Sequence, residues 1–267
     1  MKRVQYFHYG APEELRLDDV TPPDAGRGQI RVQVRAAAAN PMDWKIRRGK
    51  MKLLSGSWFP RGLGHDFAGV IEAVGPGVER LKVGDEVFGL TTIRQAGSFA
   101  EYVVADEKNV GLKPSSISFE QAAALTLVSV TAWNALVTKA RLRADQSVLI
   151  TGCLGGVGRS AVQIARMRGA NVVGSCNASR REEALALGVS EVVDYRAFDI
   201  AFVSTSLRRG LRYGKRAVVE PMRRDAETPR YVAAHRPHFR RADWLPAPVA
   251  TSLGVRQSDP AMYCRRR

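Results

Sequence analysis

Residues Thr151–Gly158 read TGCLGGVG. They follow SVLI (Ser147–Ile150), which is short and apolar enough for a buried strand. They precede RSAVQIARMRG, whose apolar residues recur at helical spacing. A glycine-rich turn in that setting can hold a pyrophosphate. The phosphate oxygens need backbone N–H donors at a helix N-terminus with no side chains in the way, and the helix dipole favours their charge. The fingerprint G-x-G-x-x-G falls on Cys153, Gly155 and Gly158, so a cysteine stands at the first glycine position, with Gly152 just before it. Gly155, Gly156, Val157 and Gly158 are candidate cofactor-binding residues. The plainer alternative is a strand-to-helix turn with no ligand.

Beyond the turn the chain alternates. Strand Asn171–Ser175, helix Arg180–Leu187 and strand Glu191–Asp194 follow, and an alanine-rich helix opens at Ser118, a plausible N-cap. This order predicts half of a doubly wound parallel sheet over residues 118–199. The end of the second strand selects the nucleotide, because an acid about 20 residues past the glycines would bind the 2′-hydroxyl of NAD. Here GSCNASRR (Gly174–Arg181) contains no acid. Ser175, Asn177, Ser179 and Arg180, with Arg181 beside them, suit a 2′-phosphate instead. NADPH is expected over NADH. The alternative is a helix start whose arginines touch only water.

Residues 1–117 read as β. Lys2–His8, Gln29–Ala36, Phe67–Val74, Glu86–Leu90 and Gly97–Val104 are strand-like runs separated by Gly/Pro turns, which predicts a barrel-like domain. The fold class expected is α/β.

The totals bound the partners. No run approaches the ~18 to 20 consecutive apolar residues of a membrane helix, and MKRVQYFHYG lacks the apolar stretch of a secretory signal. A cytoplasmic protein with no membrane partner is expected. Cys153, Cys176 and Cys264 are widely spaced and odd in number, which argues against a disulfide framework and against a metal site. The net charge of +15 is concentrated in residues 201–267, which hold 14 arginines and one lysine against five carboxylates. That Arg/Pro-rich tail of residues 200–267 has no sustained period, and reads as a divergent or disordered extension.

Seven stretches, in order, resemble the medium-chain dehydrogenase/reductase superfamily in its zinc-free quinone/enone oxidoreductase branch. They are ANPMDWKIRRG (39–49), GHDFAGVIEAVG (64–75), VGDEVFG (83–89), GSFAEYV (97–103), AAALTLVSVTAWNAL (122–136), GGVG (155–158) and VVDY (192–195). The resemblance implies a GroES-like catalytic domain followed by a partial Rossmann domain. It also implies hydride transfer from NADPH to a quinone or an α,β-unsaturated carbonyl. Zinc-dependent members carry Cys where Asn40 stands and a four-Cys lobe that this sequence lacks, so His65 is read as structural. Without a metal to polarise a carbonyl, a conjugated acceptor is the easier target.

By the same resemblance, Lys45 is the donor to substrate or cofactor ribose, and Asn40 orients the substrate. Thr131 lies near the nicotinamide and Tyr195 near the adenosine. A solvated lysine and a turn asparagine are the alternatives for the first pair. Asp43 is read as a helix cap, and Thr126 stands where the family usually has Pro.

The family pattern continues past VVDY through the second half of the Rossmann sheet, and this chain departs from it there. LRRGLRYGKRAVV (207–219) resembles the family's last strand. An internal deletion and an out-of-frame tail both fit. Either leaves the strand before the glycine turn with an unpaired edge, and predicts weak or absent turnover. A homodimer would need the sheet completed. The functional alternatives are a catalytically impaired remnant and a nucleic-acid binder using the basic tail. Against the second, the tail lacks zinc-finger spacing, ribonucleoprotein motifs and a recognition helix.

Overall fold

A computed structural model describes residues 1–194, Arg196 and two later strands, Ala217–Pro221 and Tyr231–Ala233. Tyr195, and with it the nucleotide role expected there, lies outside the described residues, as does most of the Arg-rich tail. The chain divides into two compact units, with the boundary in the first half between Leu127 and Val128.

The first unit is built on antiparallel strands. β1 (Lys2–Tyr6) lies between β2 (Arg16–Asp19) and a short strand met later in the chain. β3 (Gln29–Ala38) leads into helix α1 (Pro41–Arg47), then into the four-residue α2 (Lys52–Ser55) and β4 (Arg61–Gly62), which closes the first sheet. β5 (Asp66–Val74), β6 (Glu86–Leu90), β7 (Tyr102–Asp106) and β8 (Val110–Leu112) complete a second sheet in the order β7-β3-β5-β6-β8. Alternation sets its inner face: Ile30 and Val32 from β3, Phe67 and Ile71 from β5 and Val103 from β7 are buried in one cluster. The pairing of β3 with β5 slips twice, and at one of these bulges Gly69 is obligatory. A Cβ there would lie 2.0 Å from the Gln33 carbonyl oxygen.

The expected strand Gly97–Val104 begins later, at Tyr102. Gly97 has φ +154°, and the chain before β7 makes one isolated bridge, Arg3 to Ala100.

Helix α3 (Phe119–Trp133) runs into a π-helical turn, Asn134–Lys139. Together they span 21 residues, and an 18-residue window within them has a mean hydropathy of 1.2, long and apolar enough to cross a membrane by length and composition. Uninterrupted apolar runs miss this segment because Gln121, Thr126, Ser129 and Thr131 punctuate it. Its first half packs Ala122 and Ala123 against Ala68 and Phe88.

The second unit carries a parallel sheet. β9 (Ser147–Thr151), α4 (Gly156–Met167), β10 (Asn171–Cys176), α5 (Arg181–Ala186) and β11 (Glu191–Asp194) follow in the expected alternation. Val148, Leu149 and Ile150 are all buried, as a central parallel strand requires. On α4, Gly158, Ala161, Val162 and Ala165 are buried at i, i+3, i+4 and i+7. The helix starts at Gly156, ahead of the RSAVQIARMRG run, and takes Gly156, Val157 and Gly158 into its first turn.

The expected open edge is closed. β12 (Ala217–Pro221) pairs in parallel with β9 through Ala217–Val148, Val218–Leu149 and Val219–Ile150, and β13 (Tyr231–Ala233) pairs antiparallel with β12. The sheet order is β11-β10-β9-β12-β13. Ala217–Val219, the end of the fragment that resembles the family's last strand, thus supply the missing neighbour, and β9 has a strand on each side.

Candidate functional site

The glycine turn is built by three contacts. Gly152 takes φ +64°, which a side chain would oppose. Its N–H donates to Ser175 Oγ at 3.1 Å, and the Cys153 N–H donates to the Ser175 carbonyl at 3.0 Å. Gly155, with extended φ and ψ, caps α4 and donates its N–H to the Gly152 carbonyl at 2.9 Å. The turn is therefore strapped to the end of β10 before it enters the helix.

The glycines differ in what they permit. A Cβ on Gly158 would sit 2.1 Å from the Gly152 oxygen, so this position fixes the close approach of helix to turn. A Cβ on Gly155 would meet that oxygen at 3.3 Å, and one on Gly156 would meet Val128 Cγ1 at 3.2 Å. Gly155 and Gly156 are exposed, while Val157 is half-buried against the core. The first turn of α4 thus offers open backbone of the kind a pyrophosphate needs.

Cys153, in the place of the first glycine, does not obstruct this opening. Its side chain is buried and turned inward over Gly174. Burial pushes its thiol up to about 12, helped by the adjacent Cys176 thiol.

The end of β10 is arranged differently from the sequence expectation. Ser175 is buried and its hydroxyl accepts the Gly152 N–H, so it fixes the shape of the turn. Asn177 caps the short 3-10 turn Ala178–Arg180, accepting from the Ser179 N–H at 3.1 Å and the Ser179 hydroxyl at 3.2 Å. Arg180 donates twice to Glu183, at 2.8 and 2.9 Å, and Arg159 of α4 donates to the same carboxylate. These cations hold Glu183 below the usual carboxylate range. Arg181 reaches the Val192 carbonyl at 2.9 Å. Glu183 was not singled out in the sequence, although its i,i+3 spacing from Arg180 was the available signal. Thr131 lies half-buried on α3.

In the first unit, Asn40 is the N-cap of α1. Its backbone N–H donates to Asp43 Oδ2 at 2.6 Å, the capping role expected of Asp43. Its side-chain amide donates to Asp66 Oδ2 at 2.6 Å. The other Asp66 oxygen accepts the Leu127 N–H at 3.0 Å, while Thr126 donates its hydroxyl back to the Ala122 carbonyl at 2.9 Å. One carboxylate therefore fixes both Asn40 and the middle of α3.

Asp43, His65 and Asp66 are all buried. Burial pushes Asp66 up to about 7, with Asp43 adding and the Asn40 hydrogen bond opposing, and pushes Asp43 up to about 6. Burial also drives His65 down to about 4, leaving a neutral ring whose Nδ1 lies 3.1 Å from Thr91 Oγ1 and whose Nε2 lies 3.9 Å from Asp43 Oδ1.

Lys45 lies within α1, five residues past Asn40, whose extended backbone caps that helix. Its ammonium rests 5.7 Å from the Trp44 ring centroid, and burial and then Lys50 lower its pKa. Among the described residues, no group of three or more His, Cys, Asp or Glu side chains is placed to hold a metal ion.

Residues 26–115 match the alcohol dehydrogenase GroES-like domain. The quinone-oxidoreductase homolog of Spinacia oleracea chloroplasts is 35% identical over 202 residues, covering 73% of this chain and 61% of the relative. The 2-methylene-furan-3-one reductase of Solanum lycopersicum is 40% identical over 204 residues, 73% of this chain and 52% of the relative. The solved Escherichia coli quinone oxidoreductase complexed with NADPH superposes with a TM-score of 0.68 at 30% identity, over 79% of this chain and 63% of that one.

The chain belongs to the medium-chain dehydrogenase/reductase superfamily, in its quinone oxidoreductase branch. In the terms of that family, the first unit contains the GroES-like domain and the parallel sheet is the start of the Rossmann domain. The chain spans about three-fifths of the length of this quinone oxidoreductase relative, at 61%.

Proposed function

We propose that this chain carries the cofactor turn and the substrate-side residues of an NADPH-dependent oxidoreductase that reduces quinones or α,β-unsaturated carbonyls without zinc. The observation that carries the reading is the open first turn of α4, with Gly155 and Gly156 exposed and Cys153 turned inward. The E. coli relative solved with NADPH and the furanone reductase relative support the cofactor and the substrate class.

NADPH supplies a hydride. The backbone N–H groups at the start of α4 would hold its pyrophosphate, and Arg180 would face the 2′-phosphate once exchanged from Glu183. Asn40, with its amide fixed by Asp66, presents a polar group of set orientation to a substrate oxygen. Lys45, with its lowered pKa, is the donor for oxygen or ribose.

The test is titration of the full chain with NADPH and NADH, followed by tryptophan quenching and energy transfer to the nicotinamide. NADPH-selective binding, then consumption of NADPH with a benzoquinone or an enone, supports the proposal. Failure to bind either nucleotide overturns it. Selective binding without turnover supports the second reading, a nucleotide-binding remnant, favoured by the chain's partial coverage of its relatives.

A further inference from the structure

Residues 44–61 contain no carboxylate and carry six Lys or Arg. Two of these cations are buried and spent on the fold: Arg47 donates to the Gly10 carbonyl at 2.5 Å, and Arg61 donates to the Ser55 carbonyl at 2.6 Å. Among the rest stand large apolar side chains in the open. Leu53 is 94% exposed, Trp58 69%, Leu54 53% and Trp44 37%. A single exposed leucine is ordinary, but four such side chains within one short segment are not.

The segment is pinned from beneath. The Tyr9 hydroxyl donates to the Gly56 carbonyl, and the buried Ser55 hydroxyl donates to the Met51 carbonyl at 3.1 Å. Phe59 packs edge-on against Tyr9, with ring centroids 5.0 Å apart. These inward contacts, with Arg61, hold the backbone of residues 51–61 while Leu53, Leu54 and Trp58 stay outside. Cations of the same segment lie on neighbouring rings: Arg48 and Lys50 are 5.3 and 5.8 Å from the Trp44 centroid, and Lys52 is 5.0 Å from that of Tyr9.

We propose that this edge of the first unit docks on an anionic lipid surface. Leucines that enter the acyl boundary, tryptophans at headgroup depth and a fringe of lysine and arginine with no acid between them match the chemistry of such an interface. A nucleic acid would engage the cations but leave Leu53 and Leu54 in water. The sequence expectation of no membrane partner rested on the lack of a spanning run, which surface docking does not need. The inference shares Lys45 with the oxidoreductase reading, but it rests on Leu53, Leu54 and Trp58, and its test reads lipid binding and no nucleotide.

The experiment is flotation of the full chain with phosphatidylcholine vesicles, either neutral or with about a third of the lipid replaced by phosphatidylserine. Binding to the anionic vesicles only is expected, with at least a roughly tenfold loss in the double variant Leu53→Gln/Trp58→Gln. Most of the blue shift in tryptophan emission on binding should vanish in Trp58→Phe. The Arg-rich tail also attracts anionic lipid, and the double variant separates the two sources. Undiminished binding by that variant assigns the association to the tail and overturns the proposal. So does absence of binding, or equal binding to neutral vesicles, or duplex DNA binding lost with the same substitutions. Unchanged thermal unfolding is expected, since both side chains are exposed. If the double variant fails to fold, Leu53→Gln serves in its place.

Discussion

The Cys153 sulfur fills the space that a side chain at residue 174 would need: a Cβ added to Gly174 would lie 2.8 Å from it, and 2.9 Å from Val189 Cγ1. The larger residue in the turn is matched by the smallest residue on the neighbouring strand. Gly174→Ala should therefore destabilise the second unit by about 1–3 kcal/mol through overpacking. Cys153→Gly in the same chain should recover part of that loss. Denaturant unfolding of the two single variants and the double variant checks this, and strictly additive costs would refute the coupling.

Two glycines of the turn should respond in opposite ways. Gly158→Ala places a Cβ 2.1 Å from the Gly152 oxygen and should weaken the fold itself. Gly155→Ala meets that oxygen at 3.3 Å and should leave unfolding nearly unchanged while reducing nucleotide affinity. Parallel measurements of thermal unfolding and NADPH binding separate the two outcomes.

Glu183 holds the guanidinium of Arg180, the group that the proposed function would offer to a 2′-phosphate. Glu183→Gln should strengthen NADPH binding about twofold to fivefold, in the range of an exposed ion pair, and leave NADH unaffected. Weaker NADPH binding by the variant would show instead that the carboxylate is needed to hold Arg180 in position.

The buried carboxylates predict a pH dependence whose sign can be worked out. Asp66 titrates at about 7 in the folded protein, against an unfolded value near 3.8. Between these values the folded state binds more protons, so this group's contribution to stability falls as pH rises from about 4 to about 7. Asp43, at about 6, acts in the same direction. His65, lowered to about 4, acts in the opposite direction and adds stability as pH rises from about 4 to 6.5. Asp66→Asn should gain on the wild type between pH 5 and pH 8, by on the order of 2–4 kcal/mol. Denaturation at both pH values checks this, and a constant difference between the two proteins would refute it.

The architecture was legible because its signals are local. Apolar SVLI, the glycines after it and the alternation through Asp194 each follow from short-range pattern. The arrangement around the candidate sites was less so. That Ser175 turns inward depends on its register against Thr151, and that Asp66 holds Asn40 depends on the pairing of β3 with β5. The i,i+3 spacing of Arg180 and Glu183 signals an ion pair in the sequence, but not that Arg159 of α4 joins it. The closed edge of β9 was missed because it is supplied from far along the chain.

That distance has a consequence for the order in which the second unit assembles. Val148 pairs with Val172 across 24 residues, and with Ala217 across 69. The nearer pairing closes the shorter loop, and α4 lies within it, so β9, α4 and β10 are favoured to form first. Until β12 arrives, the most apolar strand of the unit has a free side on which a strand from another molecule could add. Its vulnerability to misassembly is thus a matter of how long that interval lasts, not of the finished sheet.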